Sequence, residues 1–212
     1  MEHRTQEITH SRNSDIKIGI IPGHFATNHS HVNYYVDLNK IRRRFKDAKA
    51  AADELERIYV SQPIDTIVCL EGTQMIGALL AENLCSGHSH SINNDKDINV
   101  VTPELDSNNQ MIFRDDTQPM IWGKRVLLLI SSASTGWTIS RCMDCLKYYN
   151  GQLVSVAALF SAISEVSGIE VHSIFTLDDF PGYESHTPAE CPMCAQKQKV
   201  DALINAHGYS KI

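Results

Sequence analysis

Val126-Leu127-Leu128-Leu129-Ile130-Ser131-Ser132-Ala133-Ser134-Thr135-Gly136-Trp137-Thr138 is the stretch that decides the architecture. An apolar run enters a turn of small and hydroxyl-bearing residues, and Ile139 to Tyr149 then reads as a helix. A buried strand, a tight loop and a helix N-terminus in that order make an anion site. Backbone N–H groups converge there, and the helix dipole adds partial positive charge. Ser134, Thr135 and Thr138 contribute hydroxyls, and Gly136 lets the backbone come close to a ligand.

The same alternation extends to both sides. Asp37 to Tyr59 reads as one amphipathic helix, with Leu38, Ile41, Phe45, Ala48, Ala52, Leu55 and Ile58 at three- and four-residue spacings and Asp37 as its N-cap. Arg42-Arg43-Arg44 then reads as a solvated face. Asp65 to Leu70 is a strand, Glu71-Gly72-Thr73-Gln74 a turn, and Met75 to Cys85 a helix. Ile98 to Val101 is a further strand, and Asp106 to Pro119 reads as a mobile loop or hairpin. Strands over Arg125–Ile130, Leu153–Phe160 and Val171–Phe175 complete an α/β pattern, which predicts a mostly parallel sheet flanked by helices. Ligands bind such sheets at the carboxyl ends of the strands, where Glu71–Gln74 and Ser131–Trp137 fall on one edge. Met1 to Ser14 reads as a loosely docked tail, and Val200 to Ile204 as the start of a short terminal helix.

Composition narrows the function. A chain of 212 residues with a formal charge of −6 gives no general electrostatic reason to expect nucleic acid or an anionic membrane as partner. No apolar run reaches the roughly 18–20 residues needed to span a bilayer, and the N-terminus lacks a secretory apolar core. Six cysteines in a chain of this length do not form a secreted disulfide scaffold, so a reducing cytoplasm is the expected home. There is no Ser-His-Asp or Cys-His nucleophile signature and no dinucleotide glycine fingerprint.

Three further segments give the pattern a family likeness. Val126 to Thr138 resembles, without a gap, the phosphoribosyl-pyrophosphate loop of type I phosphoribosyltransferases. Asn33 to Lys40 resembles the Tyr-Tyr-x-Asp-Leu-Arg-Lys-like stretch of their orotate branch. Asp65 to Ala81 is similar to the family's strand, pyrophosphate loop and helix, and Trp122 to Val126 to the Lys-Gly-Lys-Arg-Val lead-in of the phosphoribosyl strand. The likeness covers about residues 33–175. It implies a core of about five parallel strands beneath a variable hood, a homodimer, and Mg²⁺ carried with the substrate. The ligand implied is a phosphorylated small molecule such as phosphoribosyl pyrophosphate or a nucleotide. Its 5′-phosphate would lie on Ser134, Thr135, Gly136, Trp137 and Thr138, and its pyrophosphate by Glu71, Gly72, Thr73 and Gln74. The implied layout is a hood or flexible segment at 1–30, the main domain at 31–180, and a Cys-containing tail with a short helix at 181–212.

The departures from the family bear on chemistry. Its acidic pair, which holds the ribose hydroxyls, is replaced by Ile130 and Ser131. Glu71 places an anion where pyrophosphate oxygens would approach, which is repulsive without a bridging metal. Trp137 replaces a glycine and either crowds the loop or lies outward as an aromatic shelf. Thr102-Pro103-Glu104 has no basic residue, leaving Arg114 and Lys124 nearby. Each missing electrostatic group costs about 10²–10³ in rate. These losses predict a very poor transferase, or a ribose-phosphate sensor of the same fold.

Two Cys-x-x-Cys pairs remain. Cys142 and Cys145 lie on a helix, where core packing is the expected role, while Cys191 and Cys194 in a Pro-containing turn are candidate Zn²⁺ ligands. The His29/His31 and His88/His90 pairs sit in polar sequence and read as surface residues. Asp178-Asp179 reads as turn chemistry ahead of an Mg²⁺ site.

Overall fold

The computed structural model describes residues 2–86, 90–106 and 110–212. In chain order it contains β1 (Gln6–Thr9), β2 (Lys17–Ala26), β3 (His31–Asp37), α1 (Asn39–Arg43), α2 (Phe45–Tyr59), β4 (Thr66–Cys69), α3 (Gln74–Cys85) and β5 (Asn99–Val101). There follow β6 (Glu104–Leu105), β7 (Met111–Ile112), β8 (Arg125–Ala133), α4 (Trp137–Tyr148), β9 (Gln152–Ser161), β10 (Glu165–Val166) and β11 (Ile169–Phe175). The chain closes with β12 (Ser185–His186), α5 (Pro192–Ala195), β13 (Ala202–Asn205) and β14 (Gly208–Lys211).

The floor of the molecule is a sheet in the order β10-β11-β9-β8-β4-β5. Its five strands from β11 to β5 pair in parallel, as the α/β pattern predicts, and β10 adds an antiparallel edge. A parallel sheet survives only when both faces are covered, so its strands are apolar throughout. Alternation divides β8 between two cores. Leu127 and Leu129 pack with α2 and α3, while Val126, Leu128 and Ile130 pack with Ile139, Cys142 and Leu146 of α4. Burial of each such side chain stabilises the fold by about 1.5–3 kcal/mol.

A second sheet forms the roof, in the order β12-β3-β2-β13-β14 with β1 paired to β2. The antiparallel β2–β3 hairpin is its backbone, and Phe25, Val32, Tyr35 and Ala202 form a small core of their own.

Several boundaries differ from the sequence pattern. Asp37 to Tyr59 is two helices, because Arg44 adopts extended backbone at φ −106 and ψ 125 and turns the chain between α1 and α2. The N-cap position falls to Leu38 rather than Asp37, because β3 runs through Asp37; the Asp37 carboxylate still accepts from the Asn39 N–H at 3.0 Å from one residue before the cap. Arg42 is buried at 8% exposure rather than solvated, since the break swings it toward the sheet edge. The N-terminal residues pair as β1, and residues 202–205 form a strand rather than a helix. That strand is held by the β14 hairpin on one side and by parallel pairing to β2 on the other. Glu104–Leu105 and Met111–Ile112 pair antiparallel as β6 and β7. No helix among the described residues is long and apolar enough to cross a membrane.

Candidate functional site

β4 and β8 are parallel neighbours, so the loops that leave their carboxyl ends lie side by side. A cleft of about 280 Å³ opens above them, floored by the second loop and by Glu71 alone of the first, and roofed by Thr27–Ser30, Tyr34–Val36 and Ile204–Ala206; Gly72, Thr73 and Gln74 are not among its lining residues. The two expected loops are thus brought together under the hood.

β8 runs three residues beyond its predicted end, to Ala133, which shortens the connecting turn to Ser134-Thr135-Gly136. α4 begins at Trp137 behind Gly136, whose φ of +77 is a left-handed conformation. A Cβ at Gly136 would meet Val166 at 2.7 Å, so glycine is required by space as well as by backbone. The N-cap residue is Gly136 itself, which has no side chain to cap this helix end. Gly136 to Ile139 line the cleft, so the amino end of α4 borders it, an arrangement that favours an anion. Ser134, Thr135 and Thr138 line the same cleft. The Ser134 Oγ is 2.8 Å from the Tyr183 hydroxyl, whose acidity burial weakens, so the phenol stays neutral.

Trp137 lies outward. Its ring stacks on His29 of the roof, with centroids 4.3 Å apart, and the Arg141 guanidinium sits 4.7 Å from the ring centroid. The indole joins roof to floor without crowding the loop.

The neighbouring loop holds a surprise in Glu71. The residue has φ 56 and Gly72 has φ 79, two left-handed residues in succession. A non-glycine residue in that region costs about 1–3 kcal/mol. This turn aims the carboxylate across to β8 rather than toward incoming phosphate. The Glu71 Oε2 accepts from the Ser131 hydroxyl at 2.5 Å and from the Ser131 and Ser132 N–H groups at 3.2 Å each. An acid thus stands at the position from which the acidic pair is missing. Ile130, the other position of that pair, borders the cleft, but its apolar side chain is fully buried in the α4 core and has no polar atom for a ligand. Thr73 is fully buried and its hydroxyl is spent on the Leu70 and Leu129 carbonyls at 2.8 and 3.0 Å, leaving Gly72 and Gln74 as the exposed members of the loop.

Sequence reasoning missed Arg42. Its guanidinium donates to the Glu71 carbonyl, to the Ala206 carbonyl at 2.6 Å and to the Asn39 side chain at 3.0 Å. One cation therefore pins the Glu71–Gln74 loop to the roof, and burial makes it easier to deprotonate than a surface arginine. The basic residues expected nearby are placed elsewhere. Arg114 is paired with Glu104 at 2.6 Å beside the β6–β7 pair, and Lys124 precedes the start of β8, at the opposite end from the loop.

The remaining candidates separate cleanly. Cys142 is buried and Cys145 donates to the Met111 carbonyl at 3.3 Å; burial raises both thiols, Cys145 to about 11, so neither is a thiolate nucleophile. Asp179 accepts from the Thr176 N–H at 2.7 Å in a capped turn, as the turn reading expects. His29 and His31 do not act as a pair: His29 meets Trp137, while His31 joins His24, Cys191 and Cys194. These four residues could hold a metal ion. His88 lies outside the described residues.

No protein-family model matches the chain, and no curated protein matches it. Solved structures do match in fold. UMP synthase of Leishmania donovani shares 15% identity and a TM-score of 0.57 over 75% of this chain, which spans 34% of that longer protein. A phosphoribosyltransferase from Corynebacterium diphtheriae shares 17% identity with a TM-score of 0.53, covering 76% of this chain and 89% of its own. Orotate phosphoribosyltransferase of Mycobacterium tuberculosis shares 14% identity with a TM-score of 0.52 over 76% of this chain and 91% of its own; it has also been solved with phosphoribosyl pyrophosphate. The chain has the type I phosphoribosyltransferase fold.

Proposed function

We propose that the cleft binds a ligand carrying a ribose 5-phosphate, with the phosphate on the Ser134–Thr138 turn and the amino end of α4. The observation that carries this reading is the helix N-terminus without a side-chain cap, opening on a cleft lined by Ser134, Thr135 and Thr138. Aromatic side chains of Tyr34, Tyr35, Phe160 and Tyr183 line the remainder, suiting a ligand that also bears a flat base. Glu71 is the acidic residue of this cleft, and one of its oxygens already bonds to Ser131 and Ser132. A single carboxylate suits Mg²⁺ brought in on a pyrophosphate, because that ion keeps several waters and takes few protein ligands.

Phosphoribosyl transfer is a second reading, favoured by Glu71 alone. Its carboxylate at Ser131 would accept from the ribose hydroxyls and offset the positive charge that develops on the sugar as pyrophosphate leaves. The cleft has few cations to steady the leaving group, so binding without rapid turnover is the expected behaviour. A homodimer in the cytoplasm belongs to the same reading.

Isothermal titration with phosphoribosyl pyrophosphate, ribose 5-phosphate and nucleoside monophosphates, with and without Mg²⁺, tests it. Binding of at least one of them is expected. Gly136→Ala should weaken that binding at least about tenfold through the forced movement of the phosphate turn. Absence of binding to all of them rejects the proposal. Base-dependent pyrophosphate release that Glu71→Gln abolishes would promote the transferase reading over the sensor.

A further inference from the structure

The tail carries chemistry that the ligand cleft does not use. We propose that His24, His31, Cys191 and Cys194 bind one zinc ion, which clips the C-terminal tail to the roof sheet. Their four ligand atoms lie within 4.8 Å of one another, although they come from β2, β3 and the α5 turn. The His24 Nε2 is 3.0 Å from the His31 Nδ1, 3.5 Å from the Cys191 Sγ and 3.6 Å from the Cys194 Sγ, and the His31 Nδ1 is 3.2 Å from the Cys194 Sγ. A tetrahedral zinc with bonds of about 2.3 Å to sulfur and about 2.0–2.1 Å to nitrogen has N···N edges of about 3.4 Å and N···S edges of about 3.6 Å. The observed spacings need only tenths of an ångström of adjustment.

The surroundings prepare His24 for this role. Its Nδ1 donates to the Gln198 carbonyl at 3.0 Å, which leaves the Nε2 lone pair free for the cluster. A carbonyl behind a metal-binding imidazole is the usual device that fixes ring tautomer and orientation. A bulge in β2 between Pro22 and Phe25 carries His24, and Asp201 holds it on both sides. The Asp201 carboxylate accepts from the His24 N–H at 3.0 Å, and the Asp201 N–H donates to the His24 carbonyl at 2.7 Å. Bulges commonly re-aim one side chain in this way. Hydrogen-bonded packing of thiols and imidazoles is the bland alternative. It would either set two ring lone pairs against each other at 3.0 Å or leave the Cys194 thiol 3.2 Å from a protonated His31 Nδ1 that cannot accept from it.

Two thiolates with two imidazoles select zinc over Mg²⁺ or Ca²⁺, and four protein ligands leave no open position for catalysis. The work of the ion is architectural. β13 is four residues long and pairs with β2 at just two positions, yet Ile204, Asn205 and the following Ala206 roof the cleft. A clip at Cys191 and Cys194 fixes the chain immediately upstream of that strand.

Metal analysis of the full-length chain, purified under reducing conditions and dialysed, should give one zinc per chain. Replacement by Co²⁺ should produce the visible bands of a tetrahedral site together with a thiolate charge-transfer band. Cys194→Ser and His31→Ala should each lower retained zinc at least about tenfold against a competing chelator, since loss of a ligand costs no less than loss of its supporting partner. Cys145→Ser should keep the full complement. A folded wild-type chain that takes up neither metal overturns the proposal. So does a cobalt spectrum without a thiolate band, or zinc lost equally on Cys145→Ser. The cobalt spectrum of the unaltered chain holds the test independent of how any variant folds.

Discussion

Floor and roof are built by different physics. The floor sheet is a stack of apolar parallel strands, with β4 wholly buried and β8 buried over most of its length. The roof sheet has short strands, a small core, and polar ties that reach across the whole chain: Arg4 to Asp201 at 2.9 Å, Asn33 to Gly182 at 2.6 Å, and the His/Cys cluster. Burial is non-directional and tolerates exchange of similar side chains, whereas polar ties demand particular atoms at particular places. The floor supplies stability, and the roof supplies shape to the cleft between them.

The largest effect that would break this contrast is in the floor. Leu128→Ala should lower unfolding free energy by about 2–5 kcal/mol in denaturant titration, whereas Leu203→Ala, half-exposed in the roof, should stay within about 0.5 kcal/mol. Equal losses at the two positions would show that the roof is a second structural core. The contact that joins the layers comes next. A double-mutant cycle of Trp137→Ala and His29→Ala should return a coupling of about 0.5–1.5 kcal/mol, and a value near zero would leave roof and floor independent. The smallest effect sharpens the contrast from the floor's own polar tie. Arg125 donates to both oxygens of Asp65 and holds its carboxyl down at about 2. A carboxylate with a lowered folded value adds stability above about pH 4, and that share is lost as pH falls through about 2. Asp65→Asn should therefore flatten the decline in stability between those values by less than about 1 kcal/mol, because the pair is partly exposed. An unchanged decline assigns it to other carboxylates.

The contrast also explains what could be read from the sequence. Val126–Ile130 and Thr66–Cys69 announce buried strands because apolar runs are local signals, and the position of the phosphate turn follows from them. Arg42 gives no such signal: its burial depends on the backbone break at Arg44 and on carbonyls 29 and 164 residues away. Glu71 was visible as a charge in the right loop. Its direction was not, because it hangs on a left-handed turn and on Ser131 of the next strand. The metal cluster was half legible. Cys191 and Cys194 have ligand spacing, and Pro22-Gly23 ahead of His24 hints at a bulge, but pairing the two requires knowing that the tail returns to β2. The strands at 202–205 and 208–211 had a readable cue in the Asn205-to-Gly208 turn, which the short helical pattern at Val200–Ile204 masked.

The parallel docking of β13 on β2 sets the order in which a working cleft can exist. Everything it covers, from the bulge at His24 to the turn at Gly136, is synthesised before Ile204–Ala206 leaves the ribosome. The Ser134–Gly136 turn is therefore complete before the last part of its roof exists. A chain released before residue 202 would keep the Thr27–Ser30 and Tyr34–Val36 part of the roof and lack its Ile204–Ala206 part, so the piece that completes the cleft is also among the last to be made.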